Sequence, residues 1–191
     1  LKKIRYLFGG DLLRQGIATS MGVEALQIPM FGLYGACSTS GEALALASMS
    51  AAAGYGGTMI AVTSSHFGSA EKEFRFPLGY ANQRPLSSHW TVTGSGAFLV
   101  QSAEEYRKQN TKSYFSNIRI TGVTVGKIVD YGLKDSQNMG ACMAPAAMDT
   151  IVQNFQDMER KEKDYDRIIT GDLGSIGRTI LFDLIREKGY D

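Results

Sequence analysis

Residues 31–57, FGLYGACSTSGEALALASMSAAAGYGG, constrain the fold more than any other stretch of the chain. They contain a helix that is apolar almost all round: Ala43, Leu44, Ala45, Leu46, Ala47, Met49, then Ala51, Ala52 and Ala53. A helix without a polar face belongs in the middle of a domain rather than on its surface. Thr39 and Glu42 at its start have the spacing of a capping box. Gly54, Gly56 and Gly57 stop it, glycine being the usual residue past a helix end. Ahead of the helix, an apolar lead-in at residues 31–34 enters a turn at Gly35 that delivers Cys37. A thiol at that point lies near the positive end of the helix dipole and near unpaired N–H groups. Both favour thiolate and attract anions. The competing reading is that Cys37 is simply a small buried hydrophobe, the usual situation of a free cysteine.

The flanking segments give the cysteine helix a context. Residues 4–8 read as a short buried strand, with Gly9, Gly10 and Asp11 as the turn after it. Residues 16–26 suit a short helix that ends before Pro29. Residues 58–63 (TMIAVT) are a continuous apolar run, short enough for a fully buried parallel strand. Strand, helix and strand make a βαβ unit with Cys37 at the carboxyl edge of the sheet, where open α/β sheets hold their ligands. Residues 64–88 form a polar and aromatic excursion too long for a simple connection. Its Phe74, Phe76 and Tyr80, with the nearby Trp90, suit a lid or a subunit contact. A strand over 91–101 follows, then a charged linker over 104–111 where the domain boundary is placed.

The second part opens with a long β-branched strand, residues 114–129. Pro145 fits the first turn of a helix. Met148, Ile151, Val152, Phe155 and Met158 then repeat at helical spacing as a core stripe. Residues 167–170 read as another buried strand. It leads into Gly171-Asp172-Leu173-Gly174 and a helix with Ile180, Leu181, Leu184 and Ile185 on one face.

Composition excludes several functions. The chain has 191 residues, 43% of them hydrophobic and 20% charged, as in ordinary globular proteins. A net charge of +1 with no basic block argues against a nucleic-acid surface. No apolar run reaches the roughly 18 residues of a membrane span. The two cysteines, Cys37 and Cys142, fit neither a metal site nor a disulfide framework, which suits a reducing compartment. The opening LKKIRYLFGG, which lacks a methionine, reads as a strand already under way, so the chain is expected to be a fragment.

His66 follows the 58–63 strand and so shares the Cys37 edge; cysteine with a nearby histidine is the minimum for nucleophilic acyl chemistry. A solvated loop histidine is the plainer reading. His89 has less claim. Asp11 and Asp172 each follow a glycine near a strand end, which suits either a cleft or ordinary turn chemistry. Neither a Lys-Ser/Thr phosphate loop nor a G-x-G-x-x-G turn before a helix is present.

GACSTSGEALALAS at residues 35–48 resembles the nucleophile segment of the thiolase and ketoacyl-synthase superfamily. Together with GGDLLRQ (9–15), SSHFGSAEKEFRFP (64–77), TVTGSGA (91–97), MAPAAMDT (143–150) and TGDLGSIG (170–177), it resembles the stage V sporulation protein AD family of spore-forming bacteria. The resemblance implies an α/β, thiolase-like α-β-α-β-α layered sandwich of two related halves. Here both are incomplete: 1–111 lacks the start of the first half and 112–191 the end of the second.

The resemblance further implies a non-enzymatic protein that binds dipicolinic acid, or its calcium chelate, for uptake into the developing spore and release at germination. Its partners would be membrane proteins of the same transport apparatus at the inner spore membrane, and homodimers are expected. No cofactor is implied beyond calcium accompanying the ligand, and no resident metal. Cys37 is the residue carried over by motif; Ser38, Thr39, Asp11, His66 and Asp172 join it as ligand-binding candidates by position. Phe67 or the Phe74–Phe76 segment would wall the ring, with Arg75, Arg84 and Arg178 as charge partners. The alternative is a cysteine-dependent acyltransferase or condensing enzyme, with Cys37 as nucleophile and His66 as base. Against it, the sequence has no histidine after residue 111, where condensing relatives place theirs. The corresponding turn carries Asp172, and an anion cannot donate the oxyanion hydrogen bond.

Overall fold

The computed structural model describes residues 3–13, 16–66, 68, 85–88, 92–108 and 118–191. The chain divides into two compact units: Leu1–Glu71 with Val92–Ile120, and Lys72–Thr91 with Thr121–Asp191.

The first unit is built on a four-stranded sheet. Strands β1 (Tyr6–Asp11), β2 (Met30–Gly32), β3 (Thr58–Ser65) and β4 (Gly94–Gln101) lie in the order β2-β1-β3-β4. The first three are parallel, and β4 runs antiparallel to β3. Helix α1 (Ile17–Val23) and a 3-10 turn (Glu24–Leu26) connect β1 to β2, while a 3-10 turn (Ala36–Ser38) and helix α2 (Thr39–Ala52) connect β2 to β3. The strand expected over residues 4–8 extends through Gly9, Gly10 and Asp11, which are ladder residues and not a turn. β3 pairs with all three, and β2 pairs with Gly9 as well.

α2 packs on one face of this sheet. Its Ala43, Ala47 and Ala51 recur every four residues and form one core with Phe8, Leu33, Met59 and Ala61. Burial follows that stripe rather than the whole circumference, and Met49 is half exposed. The β1 side chains alternate. Tyr6 and Phe8 belong to the α2 side, while a Cβ on Gly9 would meet Thr19 of α1 at 3.2 Å. α2 ends in a Schellman motif: Gly54 adopts φ 81°, the Tyr55 N–H donates to the Ser50 carbonyl and the Gly54 N–H to that of Ala51. The expected linker at 104–111 begins instead as helix α3 (Ala103–Lys108), supported by an exposed Lys108–Glu104 ion pair of 2.6 Å.

The second unit rests on α4 (Met139–Asp157) and α5 (Gly174–Glu187). The Met148 stripe is core as expected, packed with Ala144, Leu173, Leu181, Ile180, Leu184 and Ile185. α4 begins earlier than its apolar spacing suggests, because the Asn138 side chain accepts the Ala141 N–H at 3.2 Å and caps it. Pro145 consequently lies inside the helix, buried, and not in its first turn. The expected strands over 114–129 and 167–170 do not form among the described residues. Residues 121–135 run beside α4 without a ladder, tied by Asn154 Nδ2 donating to Thr124 Oγ1 at 2.9 Å and by the Lys127–Asp149 pair at 2.9 Å. Ile128 is 97% and Ile169 87% exposed. β-Branched composition yields a strand only where a neighbouring strand accepts it.

Helices α4 and α5 cross at glycines. A Cβ on Gly140 would overlap the Leu173 carbonyl, and one on Gly177 would lie 2.7 Å from Gly140 backbone atoms. Gly140→Ala or Gly177→Ala should therefore destabilise by roughly 1–3 kcal/mol. Gly41→Ala, in open space on α2, should be neutral or stabilising by up to about 1 kcal/mol. Urea unfolding distinguishes them; equal effects at all three positions would contradict the crossing. α4 also ends in a Schellman motif, with Glu159 at φ 52° in the glycine position. Glu159→Gly should raise stability by about 1 kcal/mol in the same measurement.

Candidate functional site

Because β1, β2 and β3 are parallel, their carboxyl ends share one sheet edge. Asp11 is the last residue of β1, Cys37 follows β2 by a short turn, and His66 follows β3 directly. The topology brings these three candidates to one edge, the usual ligand position of an open α/β sheet. It does not bring them to one face. Asp11 lies on the α1 face, where Thr19 Oγ1 is 3.5 Å from its Oδ2 and 3.4 Å from Ser64 Oγ. Asp11 is 6% exposed, and its Oδ1 has no hydrogen-bond partner. Thr39 lies on the other face, where its methyl group would meet a Cβ on Gly10 at 3.0 Å. Sequence reasoning missed Thr19 and Ser64. Only the register, which pairs Asp11 with Ser64, reveals them.

The Cys37 turn is the 3-10 segment Ala36–Ser38, which runs without a break into α2. Ala36 enters it at φ 51°, a left-handed conformation uncommon outside glycine. The Ser38 N–H donates to the Gly35 carbonyl at 3.0 Å, and the Thr39 N–H to that of Ala36. The Ser38 hydroxyl also donates to the Gly35 carbonyl, at 2.8 Å. Donors at the start of this helical unit therefore lie forward, at Ala36 and Cys37.

The expected capping box is not made. Thr39 has helical dihedrals (φ −56°, ψ −36°), whereas an N-cap residue is non-helical. Its hydroxyl is buried without a partner, as is Glu42 Oε2. The Glu42 carboxylate instead lies against Gly35, where a Cβ would collide with it.

Cys37 as a whole is exposed, yet protein packed around its sulfur raises the thiol pKa above the ordinary value. A hydrogen bond from its own N–H lowers it by less. Desolvation therefore overrides the thiolate preference expected from the helix terminus. His66 is exposed, and its Nδ1 accepts the Gly68 N–H at 3.1 Å. In the neutral ring that places the proton on Nε2, a donor and not a base.

Asp172, in the second unit, is exposed, and its Oδ1 accepts the Gly174 N–H at 2.9 Å, an Asx turn that starts α5. Nearby, Ser175 Oγ donates to the Leu86 carbonyl at 2.8 Å. The Arg178 guanidinium lies 5.1 Å from the Phe182 ring centroid. The aromatic candidates Phe67, Phe74, Phe76, Tyr80 and Trp90, with Arg75, Arg84 and His89, fall outside the described residues. A groove of about 510 Å³ in the second unit, lined by Lys127, Tyr131, Gln153 and Lys188 among others, contains none of the site candidates. Among the described residues no three His, Cys, Asp or Glu side chains converge as a metal set.

A raised thiol pKa makes Cys37 a slow nucleophile at neutral pH. In a Cys142→Ser background, its alkylation by iodoacetamide should keep accelerating with pH, without a plateau below about pH 9. A plateau near neutrality would show an activated thiolate.

The chain matches the stage V sporulation protein AD (SpoVAD) family over residues 1–191. It is 42% identical over 187 residues to stage V sporulation protein AD of Bacillus subtilis (strain 168), covering 98% of this chain and 52% of that protein. The chain thus spans about half the length of this curated relative. In three dimensions it is similar to AbyA1, a tetronic acid condensing enzyme, with a TM-score of 0.60 and 12% identity. That match covers 96% of this chain and 61% of the other. This likeness agrees with a thiolase-like α/β fold, and the sequence matches fix the kinship: the chain belongs to the stage V sporulation protein AD family.

Proposed function

We propose that this sporulation protein is non-enzymatic and binds dipicolinic acid, alone or as its calcium chelate, at the sheet edge that carries Cys37, for uptake into the developing spore. Membrane proteins of the same transport apparatus, at the inner spore membrane, are its partners in this reading, and the protein acts as a homodimer. Among the described residues no helix is long and apolar enough to cross a membrane.

The observation that carries the non-enzymatic part is the Cys37 thiol, whose pKa desolvation raises, at a sheet edge where the Nδ1 of the candidate base His66 already accepts the Gly68 N–H. Acyl transfer needs thiolate and a free base. Binding needs neither. Dipicolinate is a small planar dianion, and the forward N–H group of Ala36 suits one of its carboxylates. Ser38 borders the same turn, and His66 flanks it from the end of β3. Thr39 contributes by fixing α2 against β1, its hydroxyl being buried. Calcium carried by the ligand would take a further oxygen from Asp11 or Asp172.

Calorimetric titration of dipicolinate, with and without calcium, tests this. Saturable heat is expected, with affinity about tenfold lower in Cys37→Ala, equivalent to roughly 1.4 kcal/mol. No heat in folded protein would sink the reading. The exposure of Cys37 at a helix start favours one alternative, a condensing or acyl-transfer enzyme. That reading requires a thioester mass increment on Cys37 after incubation with an acyl-CoA.

A further inference from the structure

The start of α2 carries the sequence of a capping box, Thr39 followed three residues later by Glu42, yet makes neither of its side-chain bonds. Thr39 is fully buried, and its hydroxyl has no hydrogen-bond partner. Glu42 Oε2 is buried and equally unpartnered. Burying an oxygen without a partner is unfavourable, and here two lie within one helical turn. The cause is the turn ahead of them. The Thr39 N–H, which a capping box would give to the Glu42 carboxylate, donates instead to the Ala36 carbonyl.

The same turn holds a second, independent source of strain. Ala36 adopts φ 51°, a left-handed conformation unfavourable for a residue with a Cβ. With that angle, the 3-10 segment Ala36–Ser38 runs straight into α2. Both costs have one remedy. A Cβ on Gly35 would lie 2.5 Å from Glu42 Oε2 and 3.2 Å from the Thr39 nitrogen, so donor and acceptor already stand beside the same glycine. Unwinding residues 36–38 would free the Thr39 N–H for that carboxylate and release Ala36 from its left-handed angle. Thr39 would then become the N-cap, its hydroxyl accepting the Glu42 N–H.

We propose that residues 36–38 are a two-state switch. In the packed arrangement they extend α2 as a 3-10 turn. In the released one, Thr39 and Glu42 close the capping box and Cys37 leaves the helical unit. From Ser40 onward α2 keeps its seat on the sheet in both, held by Ala43, Ala47 and Ala51. The packed arrangement has the Ser38 N–H on the Gly35 carbonyl at 3.0 Å, and the released one gives that bond up. An anion held by the Ala36 N–H would select the packed arrangement. That selection rests on the binding reading; the switch itself does not, and its test is made without ligand.

Amide hydrogen exchange at Ser38, followed by NMR in the unliganded protein, reports the released arrangement. Ser38 should exchange faster than Ala47 in the middle of α2, through the opening of residues 36–38 alone. Thr39→Val and Glu42→Ala each remove one capping-box bond, so each should slow Ser38 exchange about fivefold. Glu42→Gln, whose amide oxygen can take the same place, should stay near the parent rate. The sign is decisive, because simple loss of packing at Glu42 would speed exchange. Ser38 exchange unchanged or faster in Glu42→Ala, or equal in Glu42→Ala and Glu42→Gln, overturns the proposal. Slowing shared equally by Ala47 would be a global effect and overturns it too. If Thr39→Val fails to fold, the two Glu42 variants decide. Since dipicolinate is absent, a failed dipicolinate titration leaves these readouts untouched.

Discussion

Gly10 has no Cβ, and the Leu33 carbonyl takes the space where one would stand. Thr39 at the start of α2 would meet the same Cβ at 3.0 Å, and with Ala43, Ala47 and Ala51 facing the sheet this sets how near α2 comes to β1. Larger side chains at these positions would lift the helix and everything attached to its start. Thr39, fully buried, marks how tightly that end is seated. The Cys37 turn inherits its position from this contact, because the Ala36–Ser38 segment continues into α2 without an intervening loop. Protein interiors tolerate little change in volume, so the site's geometry is fixed by packing and not by its polar groups.

What the sequence revealed about this fold was local, and what it concealed was pairing. The core stripe of α4, the end of α2 at Gly54 and the β3 strand all follow from residue types within a single element. Gly9, Gly10 and Asp11 read as a turn because glycine and aspartate favour turns, yet pairing with β3, and with β2 at Gly9, keeps them extended. Residues 118–129 fail in the opposite sense: Ile118, Val125 and Ile128 suit a strand, but no strand lies beside them among the described residues. The 104–108 segment read as a linker from its charge, although that charge includes the Glu104–Lys108 pair that supports a helix. Residues at the sheet edge were legible from order alone, since parallel strands end on the same side. Which face each occupies was not, and neither was the Asp11–Thr19–Ser64 grouping, because both depend on register.

The chemistry at Cys37 is a contest between two effects of its location. The start of a helical unit favours charge on the sulfur, and the surrounding protein, by excluding water, opposes it. The opposition wins. Similarity to a condensing enzyme at 12% identity is therefore a likeness of scaffold, and the same scaffold accommodates quite different uses.

β4 is the one strand antiparallel to its neighbour, and its first residue, Gly94, pairs with Ser65, the last of β3. The intervening 66–93 segment thus leaves and re-enters the sheet on adjacent strands, at the edge where Cys37 emerges. In polymer terms the Ser65–Gly94 pair already holds the two ends of the connection together, and the entropy of closing a chain grows only with the logarithm of its length. Doubling it would cost about 0.6 kcal/mol. The sheet is thereby insulated from length variation in this segment. Insertions between these two strands would leave the register of the ladder beneath them unchanged.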